Sequence, residues 1–238
     1  MTHPLTRLLA AALVGVGVAV AGLAVSQGLE RFRLADRTVT VKGLAEKDVE
    51  SDFAVWTLSF RRGGNAFGDV QKALASDRDA VVAFLHKRGF KDDEIEVRPL
   101  AVQDLFAREY GSGQQALRYQ GNGQVMVKSA RVAEVQGAAL AVDPLIQSGV
   151  QLSGDSGGPS FQLRGFNDVK APLLSEATRN AREQAQKFAA EAGATLGPLK
   201  IANQGVISIS GADGLDHDSD GSRMKRLRVV STFVYELR

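Results

Sequence analysis

Polar and apolar residues alternate through Thr38-Val39-Thr40-Val41-Lys42, and Ala54, Trp56, Leu58 and Phe60 recur with period two. A period of two places one set of side chains on each face of an extended chain, so both stretches read as strands. Gly63-Gly64 breaks the second one. Phe67, Val70, Leu74, Val81 and Leu85 then recur at helical spacing until Gly89 closes the element. Strands are expected around Ile95 to Val102 and Gln124 to Lys128, with the intervening Gly111 to Gly123 read as a flexible hairpin tip. A helix near Val132 to Ile146 follows, then strands near Val150 to Leu152 and Ser160 to Leu163, and a long helix from Asp168 to Ala192. In that helix Leu174, Ala177, Ala181, Ala185, Phe188 and Ala192 form the expected apolar stripe, while Glu176, Arg179, Arg182, Glu183 and Lys187 face away. A buried face this rich in alanine is expected to pack close to its sheet. Strands near Ile201 to Ile209 and Leu227 to Leu237, separated by the polar loop Gly211 to Gly221, finish the chain. Helices interleaved with hairpin-length links predict an α+β fold with mainly antiparallel sheets.

The start of the chain follows neither period. From Leu8 to Leu29 no side chain is charged, and as a helix this run would span roughly 33 Å, about a bilayer core. It reads as a membrane anchor. A cleaved signal peptide competes, because Ala24-Val25-Ser26 puts small residues where a peptidase inspects them. Arg7 stands before the run and Arg31, Arg33 and Arg37 after it, against the positive-inside tendency, yet large following domains are translocated regardless of such charges. Ala11, Gly15 and Ala19 share a face, and the same small residues are common in export segments. The expected organisation is an anchor or signal segment over residues 1–30, a charged linker over 31–37 and one α+β domain over 38–238.

Composition narrows the classes of function. The 238 residues are 44% apolar and 24% charged, the balance of a folded protein. Lys and Arg (29) nearly cancel Asp and Glu (27), so no strong field draws the chain to nucleic acid. The absence of cysteine excludes disulfides, thiol nucleophiles and thiolate metal sites, and it suits an oxidising compartment.

Several motifs invite a chemical reading. Gly154-Asp155-Ser156-Gly157-Gly158-Pro159 repeats the nucleophile loop of trypsin-like serine proteases, but that chemistry needs an upstream histidine base oriented by a buried aspartate. The histidines are His3, His86 and His217, none in that context, so a Gly/Ser-rich turn is the simpler reading. Asp216, Asp218, Asp220 and Gly221 begin a calcium loop, yet its twelfth position is Leu227 where a bidentate glutamate is required. Glycines 111, 113, 121 and 123 lack the Lys-Ser/Thr ending of a phosphate loop. Trp56 alternates with core positions and reads as core. No acid/base pair can be nominated, so no catalytic, cofactor-binding or metal-binding residue is assigned.

The opening strand Val39 to Glu46, the strand Trp56-Thr57-Leu58-Ser59-Phe60, the entry Asp92-Asp93-Glu94-Ile95, and Ser160-Phe161-Gln162-Leu163 occur in an order that resembles the bacterial SIMPL-domain family. The stretch Glu176 to Gly197, an alanine-rich helix entering a glycine-containing turn before a strand, resembles that family's signature helix. The resemblance covers about Arg37 to the C-terminus, and the GDSGGP insertion departs from the family's usual turn. It implies a periplasmic or membrane-tethered domain of mixed α/β structure, ring-like or channel-like homo-oligomers in some relatives, and no recognised enzymatic activity, catalytic residue or cofactor. Two expectations follow: a non-enzymatic oligomeric scaffold on the inner membrane linked to envelope or oxidative stress, or a periplasmic ligand- or metal-binding module using the loops Gly111 to Gly123 or Gly211 to Gly221.

Overall fold

The computed structural model describes residues 13–27, 37–107, 116–154, 157–213 and 220–238. Residues 13–27 form helix α1. Among the described residues no helix is long and apolar enough to cross a membrane. The apolar run read from the sequence, Leu8 to Leu29, extends beyond the described helix at both ends.

The rest is α+β with two antiparallel sheets, and it divides into two compact units. The first draws on Met1–Glu46, Lys170–Ile207 and Arg228–Arg238, the second on Lys47–Val169 and Ser208–Leu227. One sheet has the order β1 (Thr38–Glu50), β9 (Met224–Leu237), β7 (Leu196–Asn203), with β8 (Ile207–Gly211) also paired to β9. The other has the order β3 (Ile95–Val97), β5 (Tyr119–Ser129), β2 (Phe53–Gly64), β6 (Ser160–Gln162), with β4 (Ala101–Asp104) also on β5. The helices are α2 (Phe67–Lys87), α3 (Val132–Ala139), α4 (Asp143–Gln147) and α5 (Phe166–Glu191).

In the first unit, Val41 of β1 and Phe233 and Tyr235 of β9 pack against Ala181 and Ala185 of α5. The close packing expected from the alanine face is present, and it is closest at Gly43. A Cβ on Gly43 would lie 1.9 Å from the Ala177 carbonyl oxygen and 2.9 Å from the Ala181 Cβ. Strand and helix therefore touch backbone to backbone, which only glycine permits. The stripe itself is corrected: the buried set is Leu173, Ala177, Ala181, Ala185 and Ala189, while Phe188 and Ala192 are exposed and Leu174 is half-buried. A strict i, i+4 row advances about 40° around the helix at each step, so the buried seam winds along α5, whereas the expected mix of i+3 and i+4 steps keeps to one side.

In the second unit, Trp56, Leu58 and Phe60 of β2 and Val125 and Val127 of β5 pack under Val70, Leu74, Val81 and Leu85 of α2. Trp56 is core, as its alternation required. Gly89, with φ of 86°, ends α2 in the left-handed conformation that glycine allows. Four boundaries differ from the sequence reading. Gly121 and Gly123 are not a hairpin tip but lie inside β5, opposite Arg62 and Phe60. Side chains there would meet Leu74 and the Phe60 ring at 2.3 Å, so core atoms occupy the missing volume. The strand expected over Ile95 to Val102 is two strands, because Pro99 has no N–H to continue the ladder. The helix expected over Val132 to Ile146 restarts as α4, with Pro144 in its first turn. Of the strand expected near Val150, only Leu152 pairs, as a single bridge to Phe60. In the chain's last third, the strand expected over Ile201 to Ile209 is β7 and β8, separated around Gly205.

Replacing Gly43 by valine is expected to destabilise the protein by about 1–3 kcal/mol or more, since the helix backbone must retreat from the strand. Urea denaturation of the variant checks this; an unchanged midpoint would contradict the close approach.

Candidate functional site

Only some of the residues singled out by motif are described. Asp155, Ser156, Asp216, His217 and Asp218, with Gly111 and Gly113, lie outside the described residues. His86 sits on α2, its Nδ1 3.1 Å from the Phe90 carbonyl and its Nε2 3.3 Å from the Asp92 carboxylate. That geometry ties the end of the helix to the following 3-10 turn. Among the described residues no group of three or more His, Cys, Asp or Glu is placed to hold a metal ion.

The flanks of the two most tempting motifs do meet. The Phe161 N–H donates to the Asp220 carbonyl at 2.7 Å, joining the chain just after GDSGGP to the chain that closes DxDxDG. A cavity of about 480 Å³ forms beside this contact, lined by Gln136, Leu140, Pro159, Ser160 and Asp220 among others. Nothing in either motif announces the other, because a contact between distant segments has no local signature. Among the described residues Asp220 is the one carboxylate in that lining.

Charged side chains elsewhere act mainly as struts. Arg62 Nε donates to Asp77 at 2.6 Å and its Nη2 at 2.7 Å, and the same Nη2 donates to the Gly149 carbonyl at 2.7 Å. This fork joins β2, α2 and the end of α4, and the bond to Asp77 raises the pKa of Arg62. Glu94 is a second hub. It accepts from Arg131 Nη2 at 2.5 Å, from the Ser129 hydroxyl at 2.5 Å and from the Lys91 N–H at 3.0 Å. The Arg131 guanidinium outweighs the partial burial, and with Ser129 and Lys91 it lowers the Glu94 pKa to about 2. Between β1 and β9, Glu46 pairs with Arg228 and Asp48 with Arg226, at 3.4 and 2.8 Å, and Glu50 pairs with Arg223, just before β9, at 3.1 Å. Asp48 is held below its ordinary pKa by the Arg226 bond.

The open part of the structure is the margin of the first unit's sheet. Among the described residues β1 pairs only with β9, and so does β7, leaving one ladder edge of each strand unpaired. Beside β1 a groove of about 470 Å³ is lined by Thr40, Lys42 and Leu44 of the strand and Asn180, Gln184 and Phe188 of α5. Asn180 Nδ2 donates to the Leu44 carbonyl at 2.8 Å, so one edge acceptor is already held by a side chain. β7 is exposed on both faces over most of its length, with Leu199 47% and Ile201 56% accessible. Val206, in the link to β8, is 88% accessible. Apolar residues on an uncovered edge strand are unusual in a protein that stays alone, because such an edge invites another chain. The sequence reading named Ile201 as strand but gave no sign that its strand would be an edge.

Two antiparallel sheets and an alanine-faced helix against one of them define a mixed α+β module. The family model described as SIMPL, a protein of unknown function (DUF541), matches residues 39–228, and the chain belongs to that family. A search of curated proteins gives no match.

The Glu94 hub makes a pH prediction. Because folding depresses this pKa from 4.5 to about 2, the stabilisation is fully present above pH 4.5 and is lost as pH falls through 2. Glu94→Gln is therefore expected to be clearly less stable than the parent at pH 7, with the gap shrinking between pH 4.5 and 2 in urea titrations. A gap that stays constant over that range would contradict it.

Proposed function

We propose that this SIMPL-family chain is a non-enzymatic envelope scaffold, held to the inner membrane by its N-terminal segment, with the sheet-bearing part in the periplasm and self-associating. The observation that carries the reading is the exposed β7 edge with Leu199 and Ile201. A second copy would satisfy the backbone groups of that edge and remove its apolar side chains from water. The unpaired margin of β1, in the same sheet, offers a second pairing surface. Edges of unlike sequence favour head-to-tail contacts, which close into rings when the rotation permits. The apolar run Leu8 to Leu29 supports the tether, being long enough for a bilayer core. A role in envelope or oxidative stress fits an assembling periplasmic module, with the assembly rather than a reaction as the working part.

A periplasmic ligand- or metal-binding module is the second reading, favoured by the cavity beside the Phe161–Asp220 contact. The two readings differ in what an edge substitution does. Leu199→Lys combined with Ile201→Lys is expected to lower the native mass of the detergent-extracted protein to that of a single chain while leaving its thermal midpoint within a few degrees. The same extract should come from the membrane fraction, and the C-terminal part should be digested by protease added to spheroplasts. A variant that keeps the parent's native mass, or a parent that is already a single chain at every concentration, would sink the scaffold reading.

A further inference from the structure

The five-stranded sheet has a second face that the core does not use. Phe60, Val125 and Val127 point into the core, so the alternate positions of β2 and β5 stand on the solvent side. Register places Ser59 opposite Gln124, Arg61 opposite Asn122 and Gly63 opposite Gln120 on that face. Two hollows of about 330 and 300 Å³ lie there, and both are lined by Arg61 and Gln120. The larger has an apolar wall of Leu105 and Leu117. Leu117 lies over Gly63, where a Cβ would come within 2.7 Å of it. Gln151 also lines this hollow, and its carbonyl accepts from the Arg61 N–H at 3.0 Å. Asn122 and Gln124 line the smaller one.

Charge matching separates this place from an ordinary solvated sheet face. Asp77 holds Arg62, Asp104 holds Arg118, and Glu96 holds both Lys128 and Arg98. Arg61 has no carboxylate partner among the described residues. The side-chain amides of Gln120, Asn122, Gln124 and Gln151 make no hydrogen bond among them either. A guanidinium presents a planar fork that fits a carboxylate with two parallel bonds. Each amide offers both donors and acceptors, which suits neutral groups that do the same. An apolar wall with a few convergent polar groups is the usual composition of a small-molecule site.

We propose that the hollow around Arg61 binds a small carboxylate that also carries amide or hydroxyl groups. Its acid group lies on Arg61, its neutral polar groups on Gln120 and Gln151, and its apolar part against Leu117. The assignment is independent of the self-association reading, since the site lies wholly within the second unit and uses no residue of β1 or β7.

Saturation-transfer NMR on the full chain in detergent tests it, with N-acetylmuramic acid and N-acetylalanine as acidic probes and N-acetylglucosamine as the neutral control. Both acids are expected to bind saturably, the neutral sugar at least about tenfold more weakly, and Arg61→Gln to weaken the acids by a similar factor. Arg61→Lys should recover part of the affinity, since it restores the charge but not the fork. The site is overturned if neither acid saturates below about 10 mM, if the neutral sugar binds equally well, or if Arg61→Gln binds like the parent. The comparison of acid with neutral probe on the unaltered chain holds even for a variant that folds poorly.

Discussion

The contact between the Gly43 backbone and the Ala177 carbonyl sets the geometry of the first unit. With no side chain at Gly43 and only methyl groups at Ala177, Ala181 and Ala185, α5 settles onto the strands closely. That short distance lets Asn180 reach the Leu44 carbonyl and places Gln184 and Phe188 along the margin of β1. A bulkier seam would hold the helix away, and the groove beside β1 would lose its far wall. Among the described residues nothing pairs with the outer edge of β7, and its Leu199 and Ile201 are exposed.

The second unit rests on a different device. Gly121 and Gly123 open room in β5 for Leu74 and Phe60, so α2 and the sheet interlock through missing side chains on one strand and large ones on its neighbours. Around that core, forked ion pairs fasten the ends of elements: Arg62 through Asp77 and Gly149, and Arg131 through Glu94 and Gly89. Asp52 does the same without a cation, accepting from the Arg164 and Gly165 N–H groups at 2.7 and 2.5 Å and so fixing the chain as it enters α5. Carboxylates used this way are committed to structure, and on β2 they hold Arg62 but not its neighbour Arg61.

Periodicity revealed β1, β2, α2, α5 and β9, because each is long enough for its buried face to repeat several times. It misplaced elements where one residue overrides the repeat. Pro99 and Pro144 interrupt patterns that hydrophobicity alone would continue, and the glycines of β5 look like a loop until Phe60 and Leu74 are seen filling their places. In α5 the sequence reading took Leu174 for the stripe, and the sheet beneath buries Leu173 instead. Candidate sites were less legible still. The meeting of the two motif flanks at Phe161 and Asp220, the margins of β1 and β7 that no strand pairs among the described residues, and the hollow at Arg61 all depend on strand order, which no local pattern encodes.

Unpaired edges connect this architecture to the SIMPL-family scaffold reading, since a second copy is the partner whose concentration rises with the protein's own. Hydrogen exchange of the β1 and β7 backbone amides, followed as the detergent-extracted full-length chain is diluted, addresses that connection directly. The account predicts slow exchange along both edge strands in concentrated protein and fast exchange on dilution, while the amides of β2 and β5 stay protected throughout. Edge amides that exchange equally fast at every concentration would contradict it.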